Sequence, residues 1–230
     1  MSAGMSDSSM GHSMQSMTQL QPWTATGFGL TLLLWAVMMV AMMVPSATPM
    51  TLMYSAVARK AARQNNPVAP TFVFVAGYVV IWGLFSVVAT AGQGALDHVA
   101  LLSPTMVSAS PLLGGGLLIA AGVYQLTPYK RACLQNCRAP AHFISRHWRG
   151  GTLGAFRLGL VHGAYCLGCC WVLMALLFVG GMMNLLWIAA IAVFILLEKT
   201  IPRADVGGRI VGAAMIFVGL LSVTGMVAVR

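Results

Sequence analysis

Six long apolar stretches separated by polar connections dominate the chain. They lie at Thr24–Val44, Thr71–Ala91, Leu112–Tyr129, Leu158–Gly180, Met182–Leu197 and Ile210–Val229. Each approaches the ~20 helical residues that cross roughly 30 Å of hydrocarbon. No alternating pattern runs through them, so a β-barrel is not expected. Helices are, because lipid offers no partner to open backbone groups. The predicted fold is all-α: a polytopic membrane helical bundle of six transmembrane helices. The fifth stretch is the shortest, and Gly180-Gly181 before it predicts a tight helical hairpin with the fourth. Pro45 and Pro49 predict a break or kink at the end of the first span, with Met50–Arg63 continuing as a surface helix. Gly114-Gly115-Gly116 opens the third span to close approach by a neighbour.

Composition rules out the soluble alternative. Of 230 residues, 59% are hydrophobic and 7% charged, against about 25% charged in soluble domains. A soluble fold of this size has no way to hide that much apolar surface. Residues 1–21 form a polar tail rich in Ser and Met and are expected to be disordered. Residues 22–230 form a single transmembrane domain. The first twenty residues carry no basic cluster, so a cleaved leader is not expected.

Basic residues give the orientation. Arg59, Lys60 and Arg63 follow the first span. Lys130, Arg131, Arg138, Arg146, Arg149 and Arg157 crowd the connection between the third and fourth. Lys199, Arg203 and Arg209 lie between the fifth and sixth. The opposite side carries only the terminal Arg230, so both termini are predicted outside. The formal charge of +9 follows from this topology, and nucleic acid is not an expected partner.

Sulfur supplies the candidate chemistry, with 17 Met and 5 Cys. The external tail carries Met10, His12, Met14 and Met17, spaced to wrap a soft ion on a flexible chain. Thioethers select Cu(I), and carboxylates for calcium or magnesium are lacking apart from Asp7. The first span holds Met38, Met39, Met42 and Met43. At 100° per residue they form a stripe of roughly 140°. Ordinary apolar filling is the competing reading of that stripe. The fourth span holds His162, Cys166, Cys169 and Cys170 within an arc of about 100°. An intramembrane His is a functional candidate by default, and adjacent thiols bind soft metal or exchange disulfides. Buried Cys as a small hydrophobe is the bland alternative. One helix is not able to close a four-ligand shell, so a neighbour must contribute Met or Cys. Counted by depth, the Met stripe shares the inner half of the bilayer with His162 and Cys166.

Weaker candidates remain. Cys133 and Cys137 lie on the basic connection near His142 and His147, a conceivable zinc or copper site whose spacing matches no standard zinc knuckle. Glu198 and Lys199 end the fifth span as interface anchors, with mutual pairing, pairing to Arg203, or a Glu198–His162 contact as options. Asp97-His98 reads as surface.

The run Met38–Ala47, the segment Tyr124–Leu134, the block Cys166–Trp171, and Glu198-Lys199 with Pro202 resemble a family of bacterial integral membrane proteins of unknown function described as predicted metal-binding. The resemblance covers about residues 27–228. It implies metal handling in the bacterial inner membrane and supplies no substrate or mechanism. The Met-x-x-x-Met pairs are also similar, locally, to the motif of eukaryotic copper uptake channels, which assemble from three-span chains. The expected function is Cu(I) binding with transport or delivery, the tail collecting copper, the two stripes exchanging it, and Cys133 and Cys137 receiving it inside. A copper enzyme or periplasmic copper carrier is the expected protein partner. An accessory or assembly subunit of a copper-containing membrane enzyme is one alternative, and a membrane thiol redox protein cycling Cys166 with Cys169 or Cys170 is another. No motif of a conventional hydrolase or nucleotide enzyme is present.

Overall fold

The computed structural model describes residues 24–65, 68–98, 111–181, 184–201 and 204–226. Candidate ligands Met10, His12, Met14 and Met17 fall outside them, as do Pro202 and Arg203. The regular structure of the described residues is all helix: α1 Ala25–Arg63, α2 Thr71–His98, α3 Pro111–Leu126, α4 Pro128–Arg138, α5 Pro140–His147, α6 Gly151–Ala175, α7 Leu177–Gly180, α8 Leu185–Thr200 and α9 Ala204–Val223.

Four segments among the described residues, not six, are long and apolar enough to cross a membrane: α1, α2, α6 continuing through α7, and α9. Helices α3 and α8 have 16 residues each, or about 24 Å. The third predicted span ran on to Tyr129, but its helix stops at Leu126. Thr127 takes an extended backbone there and caps α4, its side chain accepting from the Lys130 N–H, with Pro128 in the first helical turn. The fifth was predicted from Met182 and begins instead at Leu185, where the Asn184 side chain accepts from the Trp187 N–H. Gly181, at φ 85°, makes the turn before it. The outward faces are apolar, with Leu30, Leu33, Val88, Leu186 and Phe217 all more than half exposed.

The first span differs from expectation in one respect. Pro45 and Pro49 lie inside a single 39-residue helix rather than ending it. Each proline removes one backbone donor, but the turn around them is gripped by neighbours. Ser46, Ala47 and Met50 are buried, Tyr78 of α2 donates to the Met43 carbonyl at 3.0 Å, and Lys199 of α8 donates to Ser46 at 2.9 Å.

Helix α6 is central. Of its apolar window 56% is buried, against 22–33% for the other three long segments. It packs along α2 on one side and α4 on another, while α1 packs on α2 and α3 pairs with α9. Glycine permits the closest of these crossings. A methyl group on Gly77 would overlap the Phe156 carbonyl, and one on Gly159 would overlap the Phe74 carbonyl. In the α3–α9 pair, Gly115 and Gly122 face Gly219 and Gly212 in the same way.

Candidate metal centre

The α2–α6 crossing sets the site. Gly77 lets α2 approach α6 closely, and the next residue, Tyr78, projects onto the thiol face. The Tyr78 hydroxyl lies 3.0 Å from Cys166 Sγ and donates to the Met43 carbonyl. Two groups on different helices thus meet through one phenol. The Met stripe of α1 turns inward: Met38, Met39, Met42 and Met43 are all buried. Met43 reaches farthest, its Sδ 4.0 Å from Cys170 Sγ. Cys166, Cys169 and Cys170 are almost fully buried in the same cluster. Both Cys169 and Cys170 donate to the Cys166 carbonyl at 3.0 Å, a helical back-bond that fixes their rotamers.

Helix α8 brings the group that the pattern of the chain did not announce. Lys199 is 7% exposed, and its ammonium lies 2.9 Å from Cys166 Sγ and 2.9 Å from Ser46 Oγ. Its neighbour Glu198 faces another way. It pairs with Lys130 of α4 at 2.6 Å, takes a further bond from Gln125 of α3, and does not meet His162. The two adjacent residues point about 100° apart on the helix, so they serve different neighbours. Burial lowers the Lys130 pKa despite the opposing pull of the Glu198 carboxylate.

His162 stands one turn before Cys166, among aromatic rings. Its ring stacks on Phe74 and Tyr78, with centroids at 5.9 and 5.6 Å, and meets Phe143 edge-on at 5.5 Å. Its Nδ1 is buried without a hydrogen-bond partner among the described residues.

The conceivable quartet of Cys133, Cys137, His142 and His147 does not assemble. His142 is exposed, and His147 stacks on Phe143 with its Nδ1 on the Phe143 carbonyl. Helix α4 instead lies on α6. Cys133 Sγ fills the space beside Gly168, and Cys137 is buried in the cluster of Cys166, Cys169 and Cys170. A hydrogen bond with Cys169 and burial hold the Cys137 thiol well above the usual range, and burial raises Cys133.

Among the described residues no three His, Cys, Asp or Glu side chains stand ready as a set around one metal ion. A low-coordinate sulfur pair is another matter. With metal–sulfur bonds of roughly 2.3 Å, two sulfurs about 4 Å apart bracket one ion, and Met43 and Cys170 stand at that separation. The donor set is soft thiol and thioether, the set that favours Cu(I).

No curated protein and no solved structure matches this chain. Residues 32–222 match the PpoB2 family, described as a copper chaperone. That stretch spans α1 to α9 and contains the whole sulfur cluster with Tyr78, Cys137 and Lys199. By that match the chain belongs to the PpoB2 copper chaperone family.

Proposed function

We propose that this chain is an integral membrane Cu(I) carrier, with both termini outside, that takes copper on the outer side of the bacterial inner membrane and delivers it to a copper protein. Copper is cargo. Met10, His12, Met14 and Met17 of the tail collect it, and Met38, Met39 and Met42 lead inward along α1 to Met43. Met43, Cys166, Cys169 and Cys170 hold it, and His162 adds an imidazole a turn further on. The observation that carries the reading is the buried meeting of Met43, Cys166 and Cys170 against Lys199.

Charge explains why that meeting suits a monovalent ion. Two thiolates around Cu(I) leave one net negative charge. A buried charge without a partner is costly, and the Lys199 ammonium supplies the opposite sign at 2.9 Å. The loaded site is then neutral as a whole. Exchange among similar weak sulfur sites permits passage without a deep trap. The family description favours delivery over a free-running channel, and an assembly subunit for a copper-containing membrane enzyme is the form of delivery that fits a membrane-embedded donor.

A thiol redox role is the second reading, and the observation favouring it is the same Lys199–Cys166 contact, since a thiolate is also the nucleophile of disulfide exchange. One experiment separates them. Detergent-purified protein is loaded under reducing conditions with Cu(I), and stoichiometry and sulfur ligation are read by chelator competition and X-ray absorption. The full-length protein is compared with Cys166/Cys169/Cys170→Ser and with a form lacking residues 1–20. Bound Cu(I) with sulfur ligands, lost in the triple variant, is the expected result. Loss only on tail deletion would reduce the function to external capture. No Cu(I) in any form, with disulfide exchange intact, would overturn the copper reading in favour of redox chemistry.

A further inference from the structure

The adjacent thiols Cys169 and Cys170 point about 100° apart on α6, and the structure gives each a different helix. Cys170 faces α1, where Met43 Sδ lies 4.0 Å away. Cys169 faces α4, where Cys137 is buried in the same sulfur cluster. Cys166 lies between them in angle, and both donate to its carbonyl. Helix α4 is held in place for this contact at several points. Lys130 in its first turn pairs with Glu198, Arg138 in its last turn donates through Nε to the Glu198 carbonyl at 2.7 Å, and Cys133 seats beside Gly168. The α4 helix carries Lys130, Arg131 and Arg138 and belongs to the basic connection, so it is the element that links the cluster to the cytoplasmic side.

We infer that Cys137 is a further copper ligand, which with Cys169 forms an outgoing station on α4, separate from the Met43–Cys170 station on α1. The inference rests on the Cu(I) reading above. Copper held by Met43, Cys170 and Cys166 passes to Cys169 by exchanging one sulfur ligand for another on the same helix, and Cys137 accepts it as the second ligand of the new pair. Metal oxidation state does not change. Each thiol that gains the ion releases its proton, and each thiolate that loses it takes one up, so the step balances within the cluster. The doublet is therefore a two-sided connector, and α4 is where copper leaves.

Two measurements on the full-length protein test this. In a Cys133/Cys166/Cys170→Ser background only Cys137 and Cys169 remain, and diamide, reduced by the two thiols, should join them as an intramolecular disulfide. Loss of two maleimide-reactive thiols after denaturation reads it out. In the otherwise intact protein, Cys137→Ser should slow Cu(I) extraction by bathocuproine disulfonate by about tenfold or more. Cys133→Ser should leave extraction unchanged. Absence of the disulfide would remove the contact on which the station depends. A disulfide together with unaltered extraction in Cys137→Ser would make Cys137 a packing residue and overturn the inference. An intact protein that binds no Cu(I) at all would fail the parent reading first, and the disulfide result would then describe geometry alone, with no copper station.

Discussion

Two lysines are buried in this protein, and they are neutralised in different ways. Lys130 has a carboxylate: Glu198 lies at 2.6 Å, with Gln125 bridging both. Lys199, whose neighbour in sequence is that same Glu198, has among the described residues a thiol and a hydroxyl within hydrogen-bonding reach, Cys166 Sγ and Ser46 Oγ. The first arrangement is closed. Its charges cancel whatever the sulfur cluster does, and it ties α4 and α8 together. The second is open, because its counter-charge must come from sulfur, the copper ligand of the proposed function. On that proposal one lysine belongs to the fold and the other to the cargo.

The largest effect should come from opening the closed pair. Glu198→Ala leaves Lys130 buried with no opposite charge, which costs on the order of 3–5 kcal/mol. The purified protein should lose thermal stability severely, read by size-exclusion monodispersity after heating. Lys130→Met/Glu198→Met removes both charges and should recover most of that loss. If the single and double variants are equally unstable, the pair is not a self-contained latch.

Lys199→Met is the opposite case. It removes a charge without stranding one, because Cys166 can take up a proton and become a neutral thiol. Stability should change little or rise. Cu(I) affinity in chelator competition should fall about 10–100-fold, the range for losing a group that supports metal ligands. Unchanged affinity would separate Lys199 from the cargo and end the contrast between the two lysines.

What the chain discloses by itself follows the same division. The thiols of α6 lie on one face because i, i+4, i+7 and i+8 share an arc, and the Met stripe of α1 faces inward for the same reason. Helical spacing carries that information locally. Partners across helices are not carried by spacing. Glu198 and Lys199 are adjacent letters, so anchoring at a membrane edge accounts for them until α4 and α1 are seen on either side of α8. Cys137 lies some thirty residues before Cys169, and only the fold of the basic connection back onto α6 joins them. Polar letters inside apolar helices were a usable signal for what was missed. Ser46, Gln125 and Tyr78 all touch the buried polar centres, and Gly77 marks where α2 comes closest. Hydrophobicity runs past the end of α3 to Tyr129 and begins before α8 at Met182, whereas capping by Thr127 and Asn184 starts α4 and α8 and so sets those boundaries.

Tyr78→Phe probes the link between the α1 and α6 ligands. It deletes a hydroxyl that meets Cys166 and donates to the Met43 carbonyl. The Met43 carbonyl keeps its bond from Ser46 at 2.9 Å, so the stability loss should be about 1 kcal/mol, seen as a small shift in thermal denaturation. Stability should fall here while copper stoichiometry holds, the reverse of Lys199→Met.

The smallest effect, and the finest discrimination, should come from Ser46→Ala. Ser46 accepts from Lys199 and donates to the Met43 carbonyl. In a helix interior Ala is the better former by up to roughly 0.7 kcal/mol, which offsets part of the lost hydrogen bonding, so stability should scarcely move. The Lys199 ammonium, however, loses the oxygen that holds it toward Cys166. A net hydrogen-bond contribution of about 1 kcal/mol corresponds to a roughly fivefold weaker Cu(I) affinity. In a Lys199→Met background the same substitution should change affinity no further, because there is then no ammonium left to position. Additive losses in the double variant would mean that Ser46 acts on Met43 through its carbonyl instead, and Lys199 would have to be held at the sulfur cluster by Cys166 alone.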